Sequence, residues 1–130
     1  MQDARPNREV TRLPALLVID NDRIIRETLQ RVFSSIYDCH ISDGSEHVLK
    51  ILDTSEYDAI ITDVSMPGVD GLQVLKRIQA RHNKTPVIVI SGNGDQFKDL
   101  FLEMGAFAYF TKPFLIDDLE SAVEQALRGL

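Results

Sequence analysis

The sequence has little cysteine, no long hydrophobic run and no excess of basic residues. Its one cysteine, Cys39, cannot form an internal disulfide. Unbroken apolar runs reach at most five residues, as at Ala15 to Ile19, which is too short to cross a bilayer. The 14 Lys and Arg residues are outnumbered by 20 Asp and Glu residues, and the resulting net charge of -6 would repel nucleic-acid phosphates. We therefore expect a cytoplasmic protein with no signal peptide and no direct contact with nucleic acid or membrane.

The length and composition indicate one globular domain. A chain of 130 residues has the usual size of a single domain, and 44% hydrophobic with 26% charged residues is a globular composition. Such a chain buries about two-thirds of its unfolded surface. Residues 1–13 contain three arginines and no sustained apolar period, so we predict a flexible leader over 1–13 and a single domain over 14–130.

Short aliphatic runs predict five β-strands. Three runs lack polar alternation, which is typical of parallel strands covered on both faces: Ala15–Ile19, Ala59–Ile61 and Val87–Ile90. Two mixed runs, Tyr37–Ser42 and Ala106–Thr111, are predicted to be the edge strands.

Between the strands, apolar residues recur with the period of a helix. One stripe consists of Ile25, Leu29, Val32, Phe33 and Ile36. Another consists of Phe97, Leu100, Phe101 and Met104. Five strands alternating with five helices predict a doubly wound parallel α/β sheet, because parallel strands need a covering helix at each crossover.

Polar residues with chemical potential follow the predicted strands. Asp20-Asn21-Asp22 ends the first strand, Asp63 the third, Ser91 the fourth and Thr111-Lys112 the fifth. Ligands bind such sheets outside the carboxyl ends of the strands, so we expect these side chains to meet at one rim.

Clustered carboxylates repel one another, and a hard cation such as Mg²⁺ relieves that repulsion. A metal ion can also neutralise a phosphoryl group that arrives at a carboxylate, while Lys112 supplies a second positive charge. Asp63, on the central strand, is the expected nucleophile, and its product would be an acyl phosphate.

These motifs resemble the receiver domain of bacterial two-component response regulators. The matching segments are Leu17–Asp20, Ile61–Gly71, Pro86–Gly92, Gly105-Ala106 and Tyr109–Phe114. The resemblance covers about residues 15 to 128. It implies a flavodoxin-like sheet of order 2-1-3-4-5, and phosphorylation of Asp63 with Mg²⁺ by a sensor histidine kinase or a histidine phosphotransfer protein. It also implies a switch that acts on a downstream protein target, and not a conventional enzyme.

The resemblance assigns roles to individual residues. Ser91 takes the switch hydroxyl role, Lys112 the phosphate contact and Tyr109 the rotameric switch, and the Lys112-Pro113 bond is expected to be cis. The implied metal ligands are Asp20, Asn21, Asp63 and the backbone carbonyl of Ser65. The face formed by the fourth helix, fifth strand and fifth helix is expected to change for partner binding.

Asn21 departs from the family pattern, which places two adjacent acids after the first strand. An amide oxygen brings no charge, so Mg²⁺ should bind more weakly than is usual for the family. One alternative is therefore a degenerate receiver that acts as an unphosphorylated interaction scaffold. Another is a haloacid-dehalogenase-like phosphatase that uses Asp20, although its last acids should end a strand and Asp117-Asp118 are predicted to open the final helix.

Overall fold

The predicted strands form one parallel sheet in a computed structural model, which describes residues 12–82 and 84–129. The strands are β1 (Ala15–Ile19), β2 (Asp38–Ser42), β3 (Ala59–Asp63), β4 (Val87–Ser91) and β5 (Ala108–Thr111). Their order is β2-β1-β3-β4-β5 and every pair is parallel, which confirms the predicted fold. Because all five strands run the same way, their carboxyl ends share one edge.

The helices cover both faces of the sheet. They are α1 (Arg23–Phe33), α2 (His47–Thr54), α3 (Gly71–His82), α4 (Lys98–Glu103) and α5 (Ile116–Arg128). Residues of α1 and α5 pack on one face, and residues of α2, α3 and α4 pack on the other. Alternate residues of β1 serve the two cores, with Leu16 and Val18 on the α1/α5 side and Leu17 and Ile19 opposite. Burial on both faces explains why the central strands are continuously aliphatic.

Helix α1 begins at a side-chain cap and ends earlier than its apolar stripe. The carboxylate of Asp22 accepts the backbone N–H of Ile24 at 2.9 Å, which satisfies an amide that the helix leaves free. The stripe predicted Ile36 as core, but this was wrong: the helix ends at Phe33 and the Ile36 side chain is exposed. The N–H groups of Ile36 and Tyr37 both bond to the Phe33 carbonyl, so the chain turns away from the helix there.

The segment around α4 differs in two ways from its prediction. Strand β5 begins at Ala108 and not at Ala106, because the Ala106 N–H still bonds to the Phe101 carbonyl at 2.9 Å. Gly105 makes this turn with φ of +102°, a conformation that favours glycine. Helix α4 has six residues and only Phe101 is fully buried, so Leu100 was wrongly predicted as core.

Two further expectations concern the whole chain. Of the predicted leader, residues 1–11 lie outside the described part, so its flexibility stays a prediction. In the ranges 12–82 and 84–129, no helix has the length and apolarity needed to cross a membrane.

The Cys39 thiol is buried, and this burial with the nearby Asp38 charge raises its pKa to about 11.

The turn after β3 is closed against the strand by Gly71. Its N–H donates to the Val64 carbonyl at 2.7 Å, and a Cβ at this position would lie 2.5 Å from the Asp63 backbone oxygen. Only glycine allows helix α3 to start this close to the end of β3.

Replacement of Gly71 by alanine should therefore lower the free energy of unfolding by about 1–3 kcal/mol, since backbone must move to admit the methyl group. Gly92→Ala is the matched control, because a Cβ there has nothing within 4 Å and should change stability by less than about 0.5 kcal/mol. Urea unfolding followed by circular dichroism measures both. Equal stability of the two variants would contradict the close approach at Gly71.

Candidate functional site

The carboxyl ends of three strands bring a lysine between two carboxylates. Asp20 directly follows β1, Asp63 is the last residue of β3, and Lys112 directly follows β5. The Nζ of Lys112 lies 2.8 Å from Oδ2 of Asp20 and 3.2 Å from Oδ2 of Asp63. The Asp20 side chain is fully buried and that of Asp63 is 7% exposed, so these ion pairs are shielded from water.

The backbone N–H, the backbone carbonyl and both carboxylate oxygens of Asp20 each have a neighbouring polar group. Its N–H donates to the Ser42 carbonyl of β2 at 3.0 Å, and its Oδ1 accepts the N–H of Asp22 at 2.7 Å. Its backbone carbonyl accepts Nη1 of Arg26 at 2.9 Å, and its Oδ2 faces Lys112. The carboxylate orientation is thus set by the turn between β1 and α1 as well as by the lysine.

Asp63 is buried, and each of its two carboxylate oxygens contacts a different partner. Its Oδ1 accepts the N–H of Val64 at 2.8 Å, and its Oδ2 accepts a hydrogen bond from Lys112. Burial is the main cause that raises the pKa of Asp63 above its ordinary value, and the charge of Asp20 adds to it. The contacts with Lys112 and Val64 oppose the rise without cancelling it.

Lys112 is the cation of the cluster. Burial alone would lower its pKa, but the contacts with Asp20 and Asp63 outweigh burial and raise the pKa above its ordinary value. The lysine therefore stays charged at neutral pH. The Lys112-Pro113 peptide bond is cis, as the resemblance predicted.

Ser91 lies beside the cluster at the end of β4 and is fully buried. The Lys112 N–H donates to the Ser91 carbonyl at 2.7 Å, which joins β4 to the lysine. Among the described residues, the Ser91 hydroxyl is not bonded to Asp63; its oxygen accepts the N–H of Asn93 at 3.0 Å. The structure thus places Ser91 at the predicted rim, and its switch role stays a prediction.

Tyr109 lies on β5 and contacts the loop that precedes α4. Its hydroxyl donates to the Gly94 carbonyl at 2.8 Å, and its ring centroid lies 6.1 Å from that of Phe101. The side chain is buried between the sheet and α4. It therefore joins the strand to the helix and does not contact the acidic cluster directly.

Asn21 and Ser65 occupy exposed loop positions next to Asp20 and two residues after Asp63. Within the described part of the chain, no three His, Cys, Asp or Glu side chains gather where they could hold a metal ion. A cation here would thus have two carboxylates, with neutral oxygens as its other protein ligands. Weaker Mg²⁺ binding because of asparagine at position 21 stays a prediction.

The acids that the phosphatase alternative needs are placed elsewhere. Asp117 and Asp118 lie in the first turn of α5, where negative charge favours the helix dipole. They do not end a strand, which removes the expected third motif of that alternative.

Sequence reasoning missed Arg26, whose guanidinium bonds to the Asp20 carbonyl. One signal was available: Arg23 and Arg26 both lie within the first four residues of α1, where positive charge opposes the helix dipole. A cation in such a position needs a local reason, and at Arg26 the structure provides one.

Comparisons with known proteins agree with this geometry. The family model described as the response regulator receiver domain matches residues 16–124. The DNA-binding transcriptional regulator NtrC of Klebsiella pneumoniae is 35% identical over 112 residues, which are 85% of this chain. The chain spans 24% of the length of that relative.

Solved structures share the whole fold. The signal receiver domain of an HD domain-containing protein from Pseudomonas fluorescens Pf-5 is 28% identical, with a TM-score of 0.82, over 91% of this chain and 97% of that one. The response regulator TrrA of Thermotoga maritima, in complex with Mg²⁺ and BeF, is also 28% identical. Its TM-score is 0.78, over 88% of this chain and 100% of that one.

The raised pKa of Asp63 predicts a stability that depends on pH. The folded state binds the Asp63 proton more tightly than the unfolded state, so the charged carboxylate weakens the fold as pH rises above about 4. Asp63→Asn should therefore be more stable than the parent at pH 7, and the difference should vanish towards pH 4.

Urea unfolding at several pH values measures this difference. Glu103→Gln is the control, since Glu103 is an exposed acid at the end of α4 and its loss should change stability by less than about 0.5 kcal/mol. If Asp63→Asn were less stable than the parent at pH 7, the attraction of Lys112 would outweigh burial, contrary to this interpretation.

Proposed function

The chain belongs to the response regulator receiver domain family, and on that premise we propose that it is a phosphoacceptor signalling switch in which Asp63 receives the phosphoryl group. The observation that carries the proposal is the buried pair of Asp20 and Asp63 around the Lys112 ammonium. Such a cluster provides a nucleophilic carboxylate and a fixed positive charge for an arriving phosphoryl group.

The proposed reaction uses groups of this chain in defined roles. A carboxylate oxygen of Asp63 attacks the phosphorus of a phosphohistidine, an O–P bond forms, and the P–N bond to the histidine breaks. Lys112 is already within hydrogen-bonding distance of Asp63, so it stays close to the oxygens of the bound phosphoryl group. The reaction is a single modification of the chain itself and not turnover of a foreign substrate.

The residues at the rim suit a magnesium ion. Oδ2 of Asp20 is buried and accepts no well-directed hydrogen bond, although the Lys112 ammonium lies close to it. A buried carboxylate oxygen with a free lone pair is a suitable ligand for a hard cation. We propose Asp20, Asn21, Asp63 and the Ser65 carbonyl as the residues that hold Mg²⁺, which would neutralise charge on the phosphoryl group. TrrA, which shares the fold, was solved with Mg²⁺ and BeF.

The response to phosphorylation would pass through Ser91 and Tyr109. New phosphoryl oxygens can attract the Ser91 hydroxyl, which now accepts a hydrogen bond from Asn93. Asn93 and Gly94 are neighbours, and Gly94 accepts the Tyr109 hydroxyl, so movement of this loop would change the α4 contacts of Tyr109. The α4–β5–α5 face would then shift towards a form that a downstream protein binds.

The proposed partners follow from this switch. A sensor histidine kinase or a histidine phosphotransfer protein would supply the phosphoryl group in the cytoplasm, and a protein target would read the changed face. NtrC is named as DNA-binding, but the net charge of -6 argues against contact between this chain and DNA.

One observation favours a second candidate, a degenerate receiver that acts as an unphosphorylated scaffold. The two carboxylates are already paired with Lys112, and Asn21 adds no third charge to attract a metal ion. If the cation binds too weakly, Asp63 would stay unmodified while the fold still presents its surfaces to partners.

Incubation with phosphoramidate or acetyl phosphate and Mg²⁺ should add one labile phosphoryl group at Asp63. Mass spectrometry after borohydride trapping locates the modified residue. Asp63→Asn is the control and should remain unmodified, since its amide is not a nucleophile for this reaction. Modification of Asp20 would favour the phosphatase alternative, and no modification of the parent would favour the scaffold.

Replacement of Asn21 by aspartate should tighten Mg²⁺ binding, because a charged oxygen would replace an amide oxygen at the rim. A gain of about tenfold is expected if position 21 is a direct ligand, which equals about 1.4 kcal/mol. Isothermal titration calorimetry with MgCl₂ measures the affinity of both proteins.

Asp22→Asn is the matched control for nearby charge. Asparagine also caps helices well, so the N-terminus of α1 is kept while one negative charge beside the site is lost. The control should change Mg²⁺ affinity by less than about threefold. Equal affinities of Asn21→Asp and the parent would mean that position 21 does not face the metal.

A further inference from the structure

We propose that Arg26 is the positioning residue of the acidic rim: its guanidinium holds the turn between β1 and α1 so that Asp20 and Asn21 face the site. The inference rests on the proposed function, because the turn is where two of the proposed metal ligands lie. The hydrogen bond between Arg26 and the Asp20 carbonyl, however, is present without a bound metal ion.

Besides its bonds to Ser42 and Asp22, Asp20 contacts two cationic side chains. Lys112, from the end of β5, faces the carboxylate, and Arg26, from α1, bonds to the backbone carbonyl of the same residue. The Asp20 carbonyl lies beyond the last ladder residue of β1, so it would otherwise have to find a donor in the loop. Arg26 therefore fixes the peptide that links Asp20 to Asn21.

The same turn has an internal hydrogen bond that depends on this peptide. The Asp22 N–H donates to Oδ1 of Asp20 at 2.7 Å, while the Asp22 side chain caps α1. If the Asp20 carbonyl turned away, the Asn21 side chain and the Asp22 amide would move with it. One arginine thus holds a bond network that extends from the rim to the helix cap.

Arg26 also reaches towards the neighbouring turn after β2. Its charge contributes to lowering the pKa of Asp43, although hydrogen bonds from Ser45 are the main cause. Asp20 itself is bonded to Ser42, the last residue of β2. The guanidinium therefore lies near the ends of β1 and β2. These two strands are paired, so their ends are well placed to anchor the turn between β1 and α1.

The position of Arg26 makes its charge and its hydrogen bond act in opposite directions on Mg²⁺ binding. It lies near the N-terminus of α1, where positive charge is unfavourable, and it adds a cation near a proposed cation site. Charge alone predicts that loss of Arg26 should strengthen Mg²⁺ binding. Positioning predicts the opposite sign, so one measurement separates the two.

The test compares Arg26→Met, which keeps an unbranched apolar stem, with Arg26→Lys, which keeps the charge. Positioning predicts that Arg26→Met binds Mg²⁺ about tenfold more weakly than the parent, as when a ligand loses its supporting hydrogen bond. Arg26→Lys should also bind more weakly, because an ammonium on a shorter group cannot reproduce the planar guanidinium contact. Arg23→Met is the control: the Arg23 side chain is 78% exposed and pairs with Glu27 on the helix surface, so its loss should leave the affinity unchanged.

A second readout needs no metal. Amide hydrogen exchange measured by NMR should show lower protection of the Asp22 N–H in Arg26→Met than in Arg23→Met, at equal global stability by urea unfolding. Unchanged protection, or Mg²⁺ binding by Arg26→Met that is equal to or tighter than that of the parent, would overturn the proposal. If the parent binds no Mg²⁺, the proposed metal site fails, and hydrogen exchange still decides the role of Arg26.

Discussion

The ion pairs that Lys112 makes with Asp20 and Asp63 determine how the rest of the site can behave. Two buried carboxylates this close to one ammonium leave an excess negative charge, and burial makes that charge costly. Burial is the main cause of the raised pKa of Asp63, and the charge of Asp20 adds to it. The charged Asp63 carboxylate therefore weakens the fold, and an incoming cation or a change in the charge of Asp63 would alter this effect.

The parallel sheet makes this arrangement possible. Asp20, Asp63, Ser91 and Lys112 each follow or end a strand, and the common strand direction brings all four to one edge. Below that edge, aliphatic residues on both faces of β1, β3 and β4 exclude water. The sheet thus supplies a rigid base, and the cluster lies at the last residues of the strands and the first residues of the loops that follow them.

Most of the fold could be predicted because its signals are local. The aliphatic runs located the strands within two residues, and the strand ends identified the acidic cluster. The errors arose where backbone hydrogen bonds overrode the side-chain pattern, as at Ile36 and Ala106. Arg26 was missed for a different reason: its partner is a backbone carbonyl, which every residue has, so no residue type in the sequence marks it as an acceptor. The roles of Ser91 and Tyr109 stay predictions, because they concern a change between two conformations and no local sequence pattern encodes such a change.

The sequence separation within the rim has a consequence for folding. Lys112 lies 92 positions after Asp20, and the two meet only in a sheet that includes both β1 and β5. Until then Asp20 and Asp63 would have no ammonium between them. Assembly of the charged centre therefore requires closure of a long loop, which costs chain entropy and slows formation of the contact. On the proposed function, a chain that has not yet added β5 would lack the Lys112 ammonium at the acceptor and would be a poor target for modification.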